Sequence, residues 1–132
     1  MSIIDYHTRY LTLAPVSSKQ ADAVTRAFGN SFVAYFGPPR HVTTDNGTEF
    51  TGRPLEEMCQ ALNITHGYTI PYHPKANGMV ERTNRVVRDT LYDLTEERPY
   101  AWPDYLPQVQ LTINSAMVNI VILYCMGFPI GT

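Results

Sequence analysis

Cysteine, tryptophan and long apolar runs are all scarce in this 132-residue chain, which has two Cys and one Trp. Cys59 and Cys125 stand far apart, and there is no Cys-x-x-Cys or His-x-x-x-His spacing, which excludes the usual structural zinc sites. Cys59 falls inside an apolar helical pattern and reads as a buried thiol of a reducing compartment. The formal charge of −2 excludes a generally basic coat protein for nucleic acid, while leaving room for a local basic groove. Met-Ser-Ile-Ile-Asp-Tyr at the start has neither the basic start nor the apolar run of a secretory signal. The apolar run Ile120–Met126 is far shorter than the roughly 20 residues of a membrane span. Repeats and low-complexity segments are absent. With 44% apolar and 17% charged residues, the expectation is one intracellular globular domain with an ordinary core.

The periodicities divide the chain into short elements. Ser2 to Tyr6 and Tyr10 to Leu13 are β-prone and flank His7-Thr8-Arg9, which predicts an antiparallel hairpin. After Ser17-Ser18-Lys19-Gln20, apolar residues Ala23, Val24, Ala27, Phe28, Phe32, Tyr35 and Phe36 recur at helical spacing. Gly29 weakens that helix unless a neighbour packs closely against it, and Gly37-Pro38-Pro39 ends it. His41 to Thr44 is a strand leading into Asp45, and Asn46-Gly47 is a turn. A helix over about Arg53 to Leu62 turns Leu55, Met58, Cys59 and Leu62 inward. Thr65 to Ile70 is a further strand. Pro71 to Asn77 holds two prolines and reads as a mobile loop. The next helix spans about Gly78 to Glu97, with Val80, Val87, Leu91 and Leu94 as its apolar stripe, and Pro99 stops it. Trp102, Leu106, Val109 and Ile113 mark a last helix, in which Trp102 reads as a core aromatic. This order is that of an α/β fold with a mixed sheet flanked by helices.

Two polar motifs carry the chemistry. Thr43-Thr44-Asp45-Asn46-Gly47-Thr48-Glu49-Phe50 puts Asp45 at the carboxyl end of a strand, where open α/β sheets bind ligands. Tyr72-His73-Pro74-Lys75-Ala76-Asn77-Gly78-Met79-Val80-Glu81-Arg82-Thr83-Asn84-Arg85 puts Glu81 in the expected first turn of a helix, where the macrodipole favours an anion. Either acid alone is ordinary, as a turn cap or a helix N-terminal acid. Brought together, two hard carboxylates suit Mg²⁺ or Mn²⁺, the ions that assist in-line displacement at phosphodiesters.

These two motifs, with 35 residues between Asp45 and Glu81, resemble the catalytic core of retroviral and retrotransposon integrases of the DDE superfamily, Ty3/gypsy type. The resemblance implies an RNase H-like fold, two divalent metal ions, and 3′-processing and strand transfer on DNA, with Asp45 and Glu81 as catalytic and metal-binding residues. Ile4-Asp5-Tyr6-His7-Thr8-Arg9-Tyr10 matches the second strand of that family rather than its first. The 40 positions from Asp5 to Asp45 are also shorter than the family's usual gap. The first strand and its catalytic aspartate are therefore expected to be lacking, with Asp5 structural at a strand end. That aspartate bridges both ions in the family, so catalysis is expected to be impaired.

Nucleic-acid contact is the second expectation. Lys75, Arg82, Arg85 and Arg88 set four positive charges against Glu81 between His73 and Arg88. Such residues beside a carboxylate site suit backbone phosphates, although a solvated helix face would carry charges too. Glu81, Arg85 and Arg88 fall in one helical row. Tyr72 and His73 can stack on a strand end, and Asn77-Gly78 supplies a joint. DNA is the expected partner, with nuclear localisation, and neither a membrane nor a small-molecule substrate is expected. Residues 1–116 form the integrase-type unit; 117–132 depart from the family pattern as an apolar tail, which favours self-association. The alternatives are a retroelement-derived DNA- or protein-binding module without catalysis, and an unrelated metal-dependent nuclease of the same fold.

Overall fold

Apolar residues alternating along the first strands send neighbouring side chains into two different cores. The computed structural model describes residues 1–69 and 74–117, with side chains up to 69 and from 78 to 116. Strands β1 (Ser2–Ile4) and β2 (Leu11–Leu13) pair antiparallel as expected, with Ile3 opposite Thr12. Asp5 closes the turn between them: Thr8 Oγ1 donates to its Oδ2 at 2.6 Å, and Arg9 N–H donates to its carbonyl at 2.6 Å. Arg9 sits there at φ +64°, a left-handed conformation uncommon outside glycine.

Helix α1 (Ala21–Phe28) passes through a π-helical turn, Gly29–Val33, into the helical residues Ala34–Phe36. Met58 packs closely against the glycine in this run: a Cβ on Gly29 would lie 2.9 Å from its Cε, so the flexible end of the methionine would have to shift. Gly37, at φ +79°, then turns the chain into β3 (His41–Thr44). Two helices, α2 (Thr48–Thr51) and α3 (Arg53–Ala61), cross over to β4 (Thr65–Tyr68), which lies parallel to β3. Helix α4 (Pro74–Thr95) and helix α5 (Trp102–Met117) complete the described chain, joined through a 3₁₀ turn at Pro99–Ala101.

One core gathers Leu11, Val87, Val109 and Ile113 with Ile4, Leu13, Leu91 and Leu94, where α4 and α5 cover the hairpin. The other gathers Phe28, Leu55, Cys59 and Ile64 with Ile3 and Val42 among its partners, under α1 and α3. Parallel and antiparallel pairing both occur, as a mixed sheet requires, but among the described residues they lie on two two-stranded sheets with no ladder joining them. The outer edge of β2 is closed by side chains of α5. Asn114 accepts from Leu11 N–H and donates to the Leu11 carbonyl, both at 2.8 Å, and Gln110 accepts from Leu13 N–H at 2.8 Å. On β1 the ladder bonds fall at Met1, Ile3 and Asp5, so Ser2 and Ile4 turn their backbone groups to the other edge, without a backbone partner there among the described residues.

Three expectations are corrected. Helix α4 begins at Pro74, so residues 74–77 are helical rather than loop; Ile70 to His73 lie outside the described residues. Proline suits a first helical position because the N–H it lacks would be unbonded there anyway. Glu81 is consequently the eighth residue of α4 and no first-turn acid, so the macrodipole does not act on it. Trp102 is 39% exposed rather than a core aromatic, while Met79, outside the expected stripe, is buried. The tail residues 118–132 lie outside the described residues.

Candidate nucleic-acid and metal site

Asp45 follows β3 directly and is exposed, with its carboxylate folded back on its own turn. Its Oδ1 accepts the Gly47 N–H at 2.8 Å, an Asx turn that holds the side chain in one rotamer. The preceding Thr44 hydroxyl donates to the Asp45 carbonyl at 3.0 Å and lies 2.8 Å from His66 Nε2 on β4. Burial pushes the His66 pKa below its ordinary value, which keeps the ring neutral at pH 7. Gly47 is packed between two acids: a Cβ there would lie 2.9 Å from Asp45 Oδ1 and 2.7 Å from Glu49 Oε2. Sequence reasoning did not single out Glu49, although two carboxylates four residues apart around a glycine were visible in the motif.

Glu81 stands on an exposed turn of α4 and lines a groove of about 600 Å³. Arg85, Arg88 and Asn84 share that wall, with Met1 and Ser2 of the hairpin and Trp102 and Leu106 of α5 opposite. The Ser2 hydroxyl donates to Asn84 Oδ1 at 2.7 Å and ties the helix to the strand. The expected row of Glu81, Arg85 and Arg88 therefore does face one groove. Arg82 is exposed as well. Among the described residues the one ion pair is Arg53–Glu57 at 3.7 Å, so the α4 arginines carry no carboxylate partner. The helical backbone holds Lys75 and Asn77, whose side chains, like Tyr72 and His73 altogether, lie outside the described residues.

Asp45 is not among the groove-lining residues. Among the described residues no group of three or more His, Cys, Asp or Glu is placed to hold a metal ion. Asp5, the acid nearest the chain start, is spent on its turn; the Thr8 hydroxyl above all, helped by the His7 and Thr8 backbone contacts, holds its carboxyl below the usual range against the opposing effect of burial. The donor chemistry of Asp45 and Glu81 fits a hard divalent cation in a shell completed by water. A bridging carboxylate for two ions is not supplied by the described residues. Cys59 is 3% exposed and its thiol pKa is raised by burial, as expected of an inert core cysteine.

This combination of an α/β core, an aspartate at a strand end and a helix with an exposed basic face is that of an RNase H-like domain. The chain belongs to the integrase core domain family, which matches residues 1–74. It is 29% identical over 116 residues to the Transposon Tf2-3 polyprotein of Schizosaccharomyces pombe, covering 87% of this chain and 9% of that polyprotein. The Tf2-4 polyprotein of the same organism matches to the same extent, so the chain spans a small part of these curated relatives. Among solved structures, a chain of the simian T-cell lymphotropic virus intasome in complex with PP2A regulatory subunit B56 gamma superposes with a TM-score of 0.73. That match has 26% identity and covers 85% of this chain and 40% of the other. The HTLV-2 integrase catalytic core domain in complex with magnesium gives 0.67 at 22% identity, covering 83% and 68%. The BIV integrase catalytic core domain gives 0.71 at 22% identity, covering 84% and 71%, and these last two attest the fold alone. The domain is thus an integrase core of the retroelement, Ty3/gypsy type.

Proposed function

We propose that this chain binds DNA through the exposed arginine face of α4 and performs integrase chemistry, 3′-processing and strand transfer, only at an impaired level. The observation that carries the reading is the groove in which Glu81, Arg85 and Arg88 stand together, the two guanidinium groups without carboxylate partners among the described residues. Unpaired arginines on one helix face attract phosphates and release counterions on binding. Lys75, Asn77, Tyr72 and His73 precede that face in sequence and are further proposed DNA-contacting residues. Asp45 and Glu81 are the catalytic carboxylates. A divalent ion, Mg²⁺ or Mn²⁺, would supply charge neutralisation at the scissile phosphate when bound. Asp45 and Glu81 would hold it, while the arginines would orient the backbone. Support for impairment within these residues is that Asp5 is committed to the hairpin turn and that no group of three or more metal-ligating side chains is gathered among the described residues. A DNA substrate places the protein in the nucleus.

The test is fluorescence anisotropy with a labelled duplex over a salt series, together with a strand-joining assay. Binding should weaken steeply with salt, and Arg85→Ala should lower the log–log slope by about 0.9. Unchanged affinity and slope in Arg85→Ala and Arg88→Ala would refute the interface. Efficient metal-dependent joining that disappears in Asp45→Asn would refute the impairment. Binding without joining that is indifferent to Asp45→Asn would favour the non-catalytic module.

A further inference from the structure

We infer that His66 is a positioning residue for Asp45 and acts through the Thr44 hydroxyl. The inference rests on the reading of Asp45 as a ligand for a hard cation. Parallel pairing sets Val42 opposite His66 and Thr44 opposite Tyr68, so His66 and Thr44 share one face of the sheet as diagonal neighbours. A threonine hydroxyl has a single proton. The hydroxyl lies 3.0 Å from the Asp45 carbonyl and 2.8 Å from His66 Nε2; with the proton given to the carbonyl, which is the arrangement proposed, the ring nitrogen is the donor. The two strands thus carry a directed chain, from Nε2–H to Oγ1 and from Oγ1–H to the Asp45 carbonyl oxygen. Tyr68, with its ring centroid 4.6 Å away, holds the imidazole from the side.

This chain fixes the backbone of Asp45 from one direction, and the Gly47 N–H fixes its Oδ1 from the other. With both in place, Oδ2 is left without a protein partner among the described residues and keeps its lone pairs for a cation. Groups that orient a metal ligand from behind typically change metal affinity by about 10- to 100-fold when removed. Thr44 and His66 therefore matter to Asp45 without touching the ion.

The experiment uses the full chain and Mn²⁺ as the probe. Nitrogen-15 spectra of the wild-type imidazole should show the proton on Nε2. Mn²⁺ affinity, read by paramagnetic resonance, should fall about tenfold in His66→Phe and in Thr44→Val, and the double variant should lose no more than either. His66→Gln, whose amide can donate from nearly the position of Nε2, should restore most of the affinity. A purely structural role would not give that rescue. The proton on Nδ1, or wild-type affinity in both His66→Phe and Thr44→Val while Asp45→Asn loses it, overturns the positioning role. Unchanged affinity in Asp45→Asn overturns instead the reading of Asp45 as a ligand, and the tautomer then still decides the hydrogen-bond chain.

Discussion

Gly47 shows at the scale of one residue how the site is built. Its φ of −59° is open to any L-residue, so glycine is not required for backbone reasons. The requirement comes from the Asp45 and Glu49 carboxylates, each within 3 Å of where a Cβ would stand. Gly47→Ala should therefore displace the acids and spare the fold: Mn²⁺ affinity should drop about tenfold, with little change in thermal midpoint. Calorimetric titration and a melting curve on the same sample check both halves. Asp45 and Glu81 were legible in the sequence because each lies in a dense local motif. Glu49 and His66 were not singled out, because what they do depends on contacts across a turn and across a strand pair. Trp102 was misread for a related reason, since helical spacing assigns a face but not what covers it.

At the scale of elements, the hairpin depends on α5 as much as on its own ladder. Asn114 is 7% exposed and satisfies both backbone groups of Leu11, 103 positions away. Asn114→Ala removes two hydrogen bonds and strands a buried N–H and C=O, which should cost about 2–4 kcal/mol. Urea unfolding followed by circular dichroism would register this as a lower midpoint at unchanged slope. A cost below about 0.5 kcal/mol would mean that water replaces the amide. The strands and the central helices were readable because periods of two and of three to four differ clearly. The start of α4 was not, because proline is equally at home in a loop and at a first helical position. Only the backbone of residues 74–77 separates the two, and it moves Glu81 from the first turn to the third.

For the molecule as a whole, the decisive feature is a sheet in two halves. Thr65 N–H and Thr69 N–H donate to the carbonyls of Arg40 and Thr44, so alternation turns the backbone groups of His41 and Thr43 to the outer edge of β3. With Ser2 and Ile4 on β1, and His66 and Tyr68 on the far side of β4, this gives three edges without a backbone partner among the described residues, and open edges recruit other strands. Self-association through these edges is the expected behaviour at high concentration. Thr43→Pro blocks the β3 edge without removing a bond to β4, because proline is tolerated on an edge. Light scattering should show fewer oligomers in this variant, and undiminished association would place the contact elsewhere, with residues 117–132 the next segment to delete. Among the described residues no helix is long and apolar enough to cross a membrane.

Sequence alone determined the family and the order of the elements, and it singled out Asp45 and Glu81 as the candidate carboxylates, since these depend on local motifs and short-range periodicity. It also indicated the basic face, because residues three and four apart on a helix must share a side. Tertiary structure decided which charges lack partners among the described residues, which amides close the β2 edge, and that Thr44 beside Asp45 meets His66 of β4 while Glu81 faces a groove beside the hairpin. Each of these depends on contacts between residues distant in the chain, where burial and hydrogen-bond geometry, not spacing, set the outcome.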